Sequence, residues 1–216
     1  MYIEYCLYDL SANEHEVKET IAQALKYSVD GISVFPAYIK SIKSLLGNDI
    51  NLSCPIDYPM GLLDLKSRMI ATEQAIKNGA KTIDILCPSV PLCNRKYDRF
   101  REDIKTIKDI CLQNNVDLRY FLEYRIYSYE LLYKMAQILC DFGVTTAFPS
   151  TGYFLDDIHD NILATALINK KNSNINIIVN GNIWNKKHLD MIKKANLYGI
   201  RVNSLNGLKL LTDQNN

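Results

Sequence analysis

Asp84 stands alone among apolar neighbours in the run Ile83-Asp84-Ile85-Leu86. A carboxylate inside an apolar strand must find a partner or carry a large desolvation cost. Arg119, Phe121 and Glu123 share one face of a strand if period-two alternation holds. Glu4 is a further acid set among apolar residues, between Ile3 and Tyr5. These residue types predict an ionic cluster of Asp84 with Arg119, joined by Glu4. Such a cluster is either a satisfied structural ion pair or a site. In a site, Asp84 or Glu123 would serve as acid or base and Arg119 or Arg201 would hold an anionic substrate.

Other constellations carry less chemistry. His15, His159 and His188 all fall on helices, so a histidine metal centre or a Ser-His-Asp triad lacks its parts, and no metal is expected. Cys87 sits at a strand end but reads as a buried thiol. Lys186, Lys187, Lys193 and Lys194 read as the solvated face of one helix. The 14 tyrosines are numerous enough that some are expected on the surface as a contact between copies of the chain, in a homo-oligomer such as a dimer.

These side chains need elements to position them. Runs rich in Val, Ile, Leu and Tyr predict strands over Ile3 to Leu7, Gly31 to Phe35, Asn51 to Ile56, Thr82 to Cys87, Leu118 to Glu123, Thr145 to Phe148, Ile175 to Asn180 and Ile200 to Ser204. A helix follows each. The first is expected to start at a capping box of Ser11 and Glu14, before Val17, Ile21, Ala24 and Leu25. The others are expected over Tyr38 to Leu46, Leu65 to Asn78, Tyr97 to Asn114, Ser128 to Phe142, Asp156 to Asn169, Lys186 to Ala195, and near Gly207 to Leu211. Asn78-Gly79 and Phe142-Gly143 are helix stops.

Eight such units in 216 residues fit one TIM (β/α)8 barrel spanning the chain, with no room for a second domain. A doubly wound open sheet is the alternative, but Tyr8-Asp9-Leu10-Ser11 stands where a glycine-rich dinucleotide fingerprint would follow the first strand. No cofactor is therefore expected. In a barrel the chemistry lies at the C-terminal strand ends, where this chain places Asp57, Glu123, Ser150, Thr151, Asn180, Asn182, Arg201, Asn203 and Ser204 beside the acids named above.

A net charge of +1 gives no basis for attraction to nucleic acid or an acidic membrane. No apolar run is long enough to span a membrane, and Met1-Tyr2-Ile3-Glu4-Tyr5 does not read as a signal peptide, so a cytoplasmic location is expected. The six cysteines form no CxxC pair and read as reduced thiols.

Several segments in order resemble the deoxyribose-phosphate aldolases, lysine-dependent class I aldolases on a (β/α)8 barrel. They are Ile3-Glu4-Tyr5, Val34-Phe35-Pro36-Ala37-Tyr38, Tyr58-Pro59-Met60-Gly61, Ile83-Asp84-Ile85, Tyr97 with Glu102-Asp103-Ile104, Leu122-Glu123-Tyr124, and Ser150-Thr151-Gly152-Tyr153. The resemblance implies a Schiff base on a strand-six lysine, a second lysine on strand seven that lowers the pKa of the first, and an aspartate on strand four. Only the aspartate matches, as Asp84. Phe148 stands at the first lysine position and Ile178 at the second. Glu4, Cys6, Arg119 and Pro88 replace an aspartate, a threonine, a lysine and an asparagine of the family's site.

The resemblance further implies a phosphate held near Ser150, Thr151 and Gly152, the turn Gly181-Asn182, and the last strand end at Ser204 and Asn206. Phosphate sites of barrels lie in that region, although Asn182 replaces a family glycine. The expectation is an aldolase-like barrel that cannot form the Schiff base and binds a small metabolite, phosphorylated or neutral. Two alternatives stay open: a lyase or isomerase built on Glu123 or Asp84, and an aldolase with a relocated lysine.

Overall fold

The computed structural model describes residues 1–154, 157–172 and 174–212. Eight parallel strands close into a barrel in chain order: β1 (Tyr2–Leu7), β2 (Gly31–Val34), β3 (Asn51–Ile56), β4 (Thr82–Leu86), β5 (Asp117–Phe121), β6 (Thr146–Phe148), β7 (Asn176–Asn180) and β8 (Gly199–Val202). Glu4 of β1 stands in register with Arg201 of β8 and with Gly31 of β2, so no open edge remains and the doubly wound alternative is excluded. All eight expected strands are present, several ending one or two residues early. The largest changes are in β5 and β8, which stop two residues early at Phe121 and Val202. Glu123 then adopts a left-handed φ of 58°, so it does not continue the face of Arg119 and Phe121 as alternation predicted.

The helices are α1 (Glu14–Ala24), α2 (Ile39–Lys43), α3 (Leu65–Asn78), α4 (Ser89–Cys93), α5 (Tyr97–Gln113), α6 (Tyr129–Asp141), α7 (Ile158–Lys171), α8 (Lys186–Lys194) and α9 (Leu205–Thr212). The capping box of α1 is formed by Asn13 and Glu16 rather than Ser11 and Glu14. Ser11 is held by its own Asp9, which accepts from both its amide and its hydroxyl. The expected helix from Tyr38 to Leu46 is a 3-10 turn over Pro36–Tyr38 followed by the short α2. Asp157 caps α7; Asp156, the expected helix start, lies outside the described residues. Gly79 ends α3 with φ 113° and Gly143 follows α6 with φ 68°, the geometry a glycine stop provides.

Branched and aromatic side chains between strands and helices form the main core, with Ile32, Ile83, Tyr120, Ala147 and Val179 among those fully buried. A second, smaller cluster of Leu86, Phe121, Phe148 and Ile178 lies apart from that core. A buried ion-pair group ties α3 to the barrel. Arg68 donates to Asp103 on α5 through Nε at 2.8 Å, to Asp57 at 2.6 Å, and to the carbonyl of Leu86 at 2.6 Å. Asp57 is thereby committed to structure, also accepting from the amides of Leu62 and Leu63.

Candidate functional site

The isolated charges in the strands meet at the barrel centre. Arg119 grips Asp84 with two donors, Nε to Oδ1 at 2.6 Å and Nη2 to Oδ2 at 3.0 Å, and reaches Glu4 through Nη1 at 2.8 Å. Arg201 from β8 donates through Nη2 to both Glu4 and Asp84. The predicted trio is therefore a quartet of two cations and two anions, all essentially withdrawn from solvent. Fixed bidentate pairs of this kind satisfy buried charge. Tyr2 and Ser53 complete Glu4, donating to it at 2.7 and 3.2 Å. Burial alone would push the Glu4 carboxyl up, but Arg119 and Arg201 outweigh it and bring it from 4.5 down to about 2. The two guanidiniums shift the opposite way. Burial lowers them, yet the facing carboxylates raise both, so they stay charged.

Phe148, the last residue of β6, packs against this quartet. Its ring stacks on Phe121 at 4.7 Å between centroids, and the guanidinium carbons of Arg201 and Arg119 lie 4.0 and 5.0 Å from its centroid. A desolvated guanidinium over an aromatic face is worth about 2 kcal/mol. Ile178 of β7 packs into the same small cluster. Each of the two positions where the resemblance implies an ammonium is thus filled by an apolar side chain. None of the eight strands contains a lysine. Every lysine of the chain is exposed or half-buried, including Lys40 and Lys43 on α2 and Lys186 and Lys187 on α8.

Above the quartet, at the C-terminal strand ends, lies a cavity of about 600 Å³. Of the residues the sequence assigned to a phosphate, Thr151, Gly152, Gly181 and Asn182 line it, whereas Ser150, Ser204 and Asn206 do not. Ser150 is buried and donates to Asn161 at 3.0 Å, and Ser204 accepts from the amide of Gly207 at the start of α9. Asn182 has an ordinary φ, so its replacement of glycine costs no left-handed strain. A Cβ at Gly181 would lie 2.8 Å from Ile158 Cδ1, the far end of a flexible side chain that can shift to admit it.

Glu123 takes a different place from the one alternation gave it. Its Oε2 accepts from the Thr151 amide at 2.8 Å and from the Thr151 hydroxyl at 2.5 Å, and its Oε1 from the Arg125 amide at 3.3 Å. The carboxylate clamps the loop after β6 and takes up the amide that a phosphate would need. Glu123→Gln is expected to cost about 1–3 kcal/mol, read as a lower unfolding midpoint in urea. An unchanged midpoint would show that this clamp carries no stability.

The rim is aromatic. Tyr8, Tyr58, Tyr153, Phe154 and Trp184 border the cavity, and Tyr8, Phe35 and Tyr58 pack on one another with centroids 4.9 to 6.0 Å apart. The sequence marked no rim residue for its own sake; Tyr58 and Tyr153 lie within segments that carry the resemblance. Trp184 had no periodic pattern to mark it, and Arg201 carried the same signal as Asp84, a lone charge in the apolar strand Gly199–Val202. A second cavity of about 340 Å³ opens at the opposite strand ends, near Tyr2, Asn51, Thr82 and Arg119. The donors of Arg119 are already taken by Asp84 and Glu4, and barrels carry their chemistry at the other face.

The buried barrel thiols contribute no nucleophile. Burial pushes Cys6 up to about 12 and Cys87 well above its usual range. Of the six cysteines, Cys93 is exposed and Cys140 partly so. Ellman's reagent is expected to titrate one thiol quickly and a second slowly in the folded protein, and all six after unfolding. Rapid reaction of a third thiol would contradict the burial of the barrel cysteines.

No family model matches the chain. It is 26% identical over 153 residues to the deoxyribose-phosphate aldolase of Metamycoplasma hominis, covering 70% of each chain. With the corresponding aldolase of Clostridium tetani it shares 27% over 153 residues, again 70% of both. Among solved structures, the aldolase QR15 superposes with a TM-score of 0.86 at 20% identity, over 96% of this chain and 91% of that one. The tetrameric deoxyribose phosphate aldolase of Aeropyrum pernix superposes with a TM-score of 0.83 at 16% identity, over 95% and 87%. The structural likenesses establish the fold, and the sequence likeness supplies the kinship. By sequence the chain is homologous to the deoxyribose-phosphate aldolases, and it shares their (β/α)8 barrel.

Proposed function

We propose that this barrel binds a small molecule at its mouth without forming a Schiff base, as a catalytically silent relative of the aldolases. One observation carries the reading: the strands hold no lysine and none borders the mouth cavity, while Phe148 and Ile178 fill the relevant interior. Class I aldol chemistry requires an amine that can condense with a carbonyl. The nearest cations, Arg119 and Arg201, are guanidiniums held protonated by Glu4 and Asp84 and form no such adduct.

The reading of a lyase or isomerase built on Asp84 or Glu123 draws less support. Asp84 is saturated by two arginines beneath the cavity floor, and Glu123 is engaged by the Thr151 loop. General acid–base catalysis needs a carboxyl within reach of a substrate proton.

Release of acetaldehyde from deoxyribose 5-phosphate tests the proposal, with an active aldolase as control. No rate above the uncatalysed reaction is expected, and turnover within about 100-fold of typical enzyme rates would overturn it. Self-association belongs to the same reading. Met60, Leu62 and Leu63 after β3 stand exposed beside Val90, the two segments being joined by hydrogen bonds from Ser89 to Met60 and Gly61. Adjacent exposed apolar side chains suit a contact with a second copy. Light scattering at the monomer mass would reject that contact.

A further inference from the structure

We infer that a second site lies on the outside of the barrel, between the turn joining α4 to α5 and helix α6, and that it takes a phosphate-bearing small molecule. The site is separate from the mouth: no residue lines both cavities, so either reading can fail without the other. A cavity of about 750 Å³ there is lined by Arg95, Lys134 and Lys171 and by one carboxylate, Glu130. Three cations against one anion leave positive charge in excess, the complement of a phosphate dianion.

Arg95 is singular in two unrelated ways. Arg68, Arg99, Arg101, Arg119, Arg125 and Arg201 each pair with a carboxylate, whereas the Arg95 guanidinium has no ion pair or hydrogen bond among the described residues. Its backbone is also held at a left-handed φ of 53°, a conformation that disfavours residues bearing a Cβ. Asn115 and Asn196 share that conformation and are of the type that tolerates it. Asp57 and Glu123 share it too, fixed by their bonds to Arg68 and Thr151. Arg95 has neither support. It follows Asn94, the C-cap of α4, where glycine is the usual residue. A guanidinium kept at a strained position without an internal partner points to an external one.

The two lysines are placed rather than loose. Lys134 Nζ lies 5.9 Å from the centre of the Tyr97 ring, and Lys171 Nζ lies 5.9 Å from that of Tyr133. Contact with an aromatic face holds an ammonium in position and leaves its N–H donors free. A lone surface lysine binds anions weakly because it is mobile and screened by salt. Three cations facing one concavity, two of them braced on rings and one on a fixed turn, lose less freedom when an anion arrives.

Cys93 lines the same cavity and is exposed, so its thiol reports occupancy. Pyrophosphate is the probe, with sodium chloride at matched ionic strength as control. It is expected to bind with a dissociation constant below about 1 mM by calorimetry, and at saturation to slow the reaction of Cys93 with Ellman's reagent at least about 5-fold. Arg95→Gly removes the guanidinium and supplies the residue the turn prefers, so this variant is expected to melt no lower than the parent yet to bind at least about 10-fold more weakly. Lys134→Gln is expected to weaken binding roughly 3- to 10-fold. Absence of both binding and protection at about 10 mM pyrophosphate overturns the inference. Parental affinity in either variant overturns it too, because the anion then sits elsewhere. An Arg95→Gly protein that melts well below the parent would assign the guanidinium to the fold and overturn it as well.

Discussion

Installing lysine at both Phe148 and Ile178 is expected to lower the melting temperature by roughly 12–40 °C and to yield no aldol cleavage. Two costs add. Removing the Phe148 ring opens a void against Phe121, and large-to-small changes of buried aromatics cost about 3–5 kcal/mol. The new ammonium groups would then join a quartet that is already neutral, with Arg201 and Arg119 stacked within 5.0 Å of the ring they replace. An uncompensated buried charge costs several kcal/mol more, at roughly 2–4 °C per kcal/mol for a chain of this length. Activity stays absent because Glu4 and Asp84 are bound to the arginines, leaving no group placed to move protons for an iminium. Circular dichroism melts and a cleavage assay check this. A double variant that melts like the parent and cleaves deoxyribose 5-phosphate would show that the site needs only its lysines restored.

Arg201→Ala carries the second large effect. It leaves Glu4 and Asp84 with Arg119 alone, and breaking a buried ion pair from one side costs about 3–5 kcal/mol. The pH dependence follows from Glu4. Its folded value of about 2 lies below its ordinary 4.5, so the stability it confers is complete above about pH 4.5 and is lost as pH falls through 2. The variant lacks one of the guanidiniums that hold this carboxyl down, so its folded value rises and less stability is lost on acidification. Urea denaturation across pH 2.5 to 7 is therefore expected to show the widest gap between the two proteins at neutral pH, narrowing toward acid. A gap constant with pH would mean that the cost is packing against Phe148 rather than charge.

The barrel was legible because its strands are apolar runs separated by helices with clear spacing, and both signals are local. Boundaries shifted where two local signals competed. Ser11 with Glu14 and Asn13 with Glu16 both spell a capping box, and the binding of Ser11 to Asp9 leaves the cap to Asn13. Helix α4 went unforeseen because a five-residue segment containing Pro91 has no period to detect. The meeting of Asp84, Arg119 and Glu4 could be read from lone charges in apolar strands. The place of Arg201 depended on closure of β8 against β1, which no local pattern encodes. The left-handed turn at Glu123 lay beyond the sequence signal too, since it is held by a loop 28 residues away. The aromatic rim joins residues from four separate loops and becomes a surface only when the barrel closes.

Borohydride trapping tests the central claim most directly. The protein is incubated with acetaldehyde and, separately, with deoxyribose 5-phosphate, reduced, and read by intact mass and peptide mapping beside an active aldolase. No specific adduct is expected while the control is labelled, because a Schiff base needs an amine within the site and the chain's lysines lie outside it. A stoichiometric adduct mapping to one lysine would contradict it and restore a working aldolase.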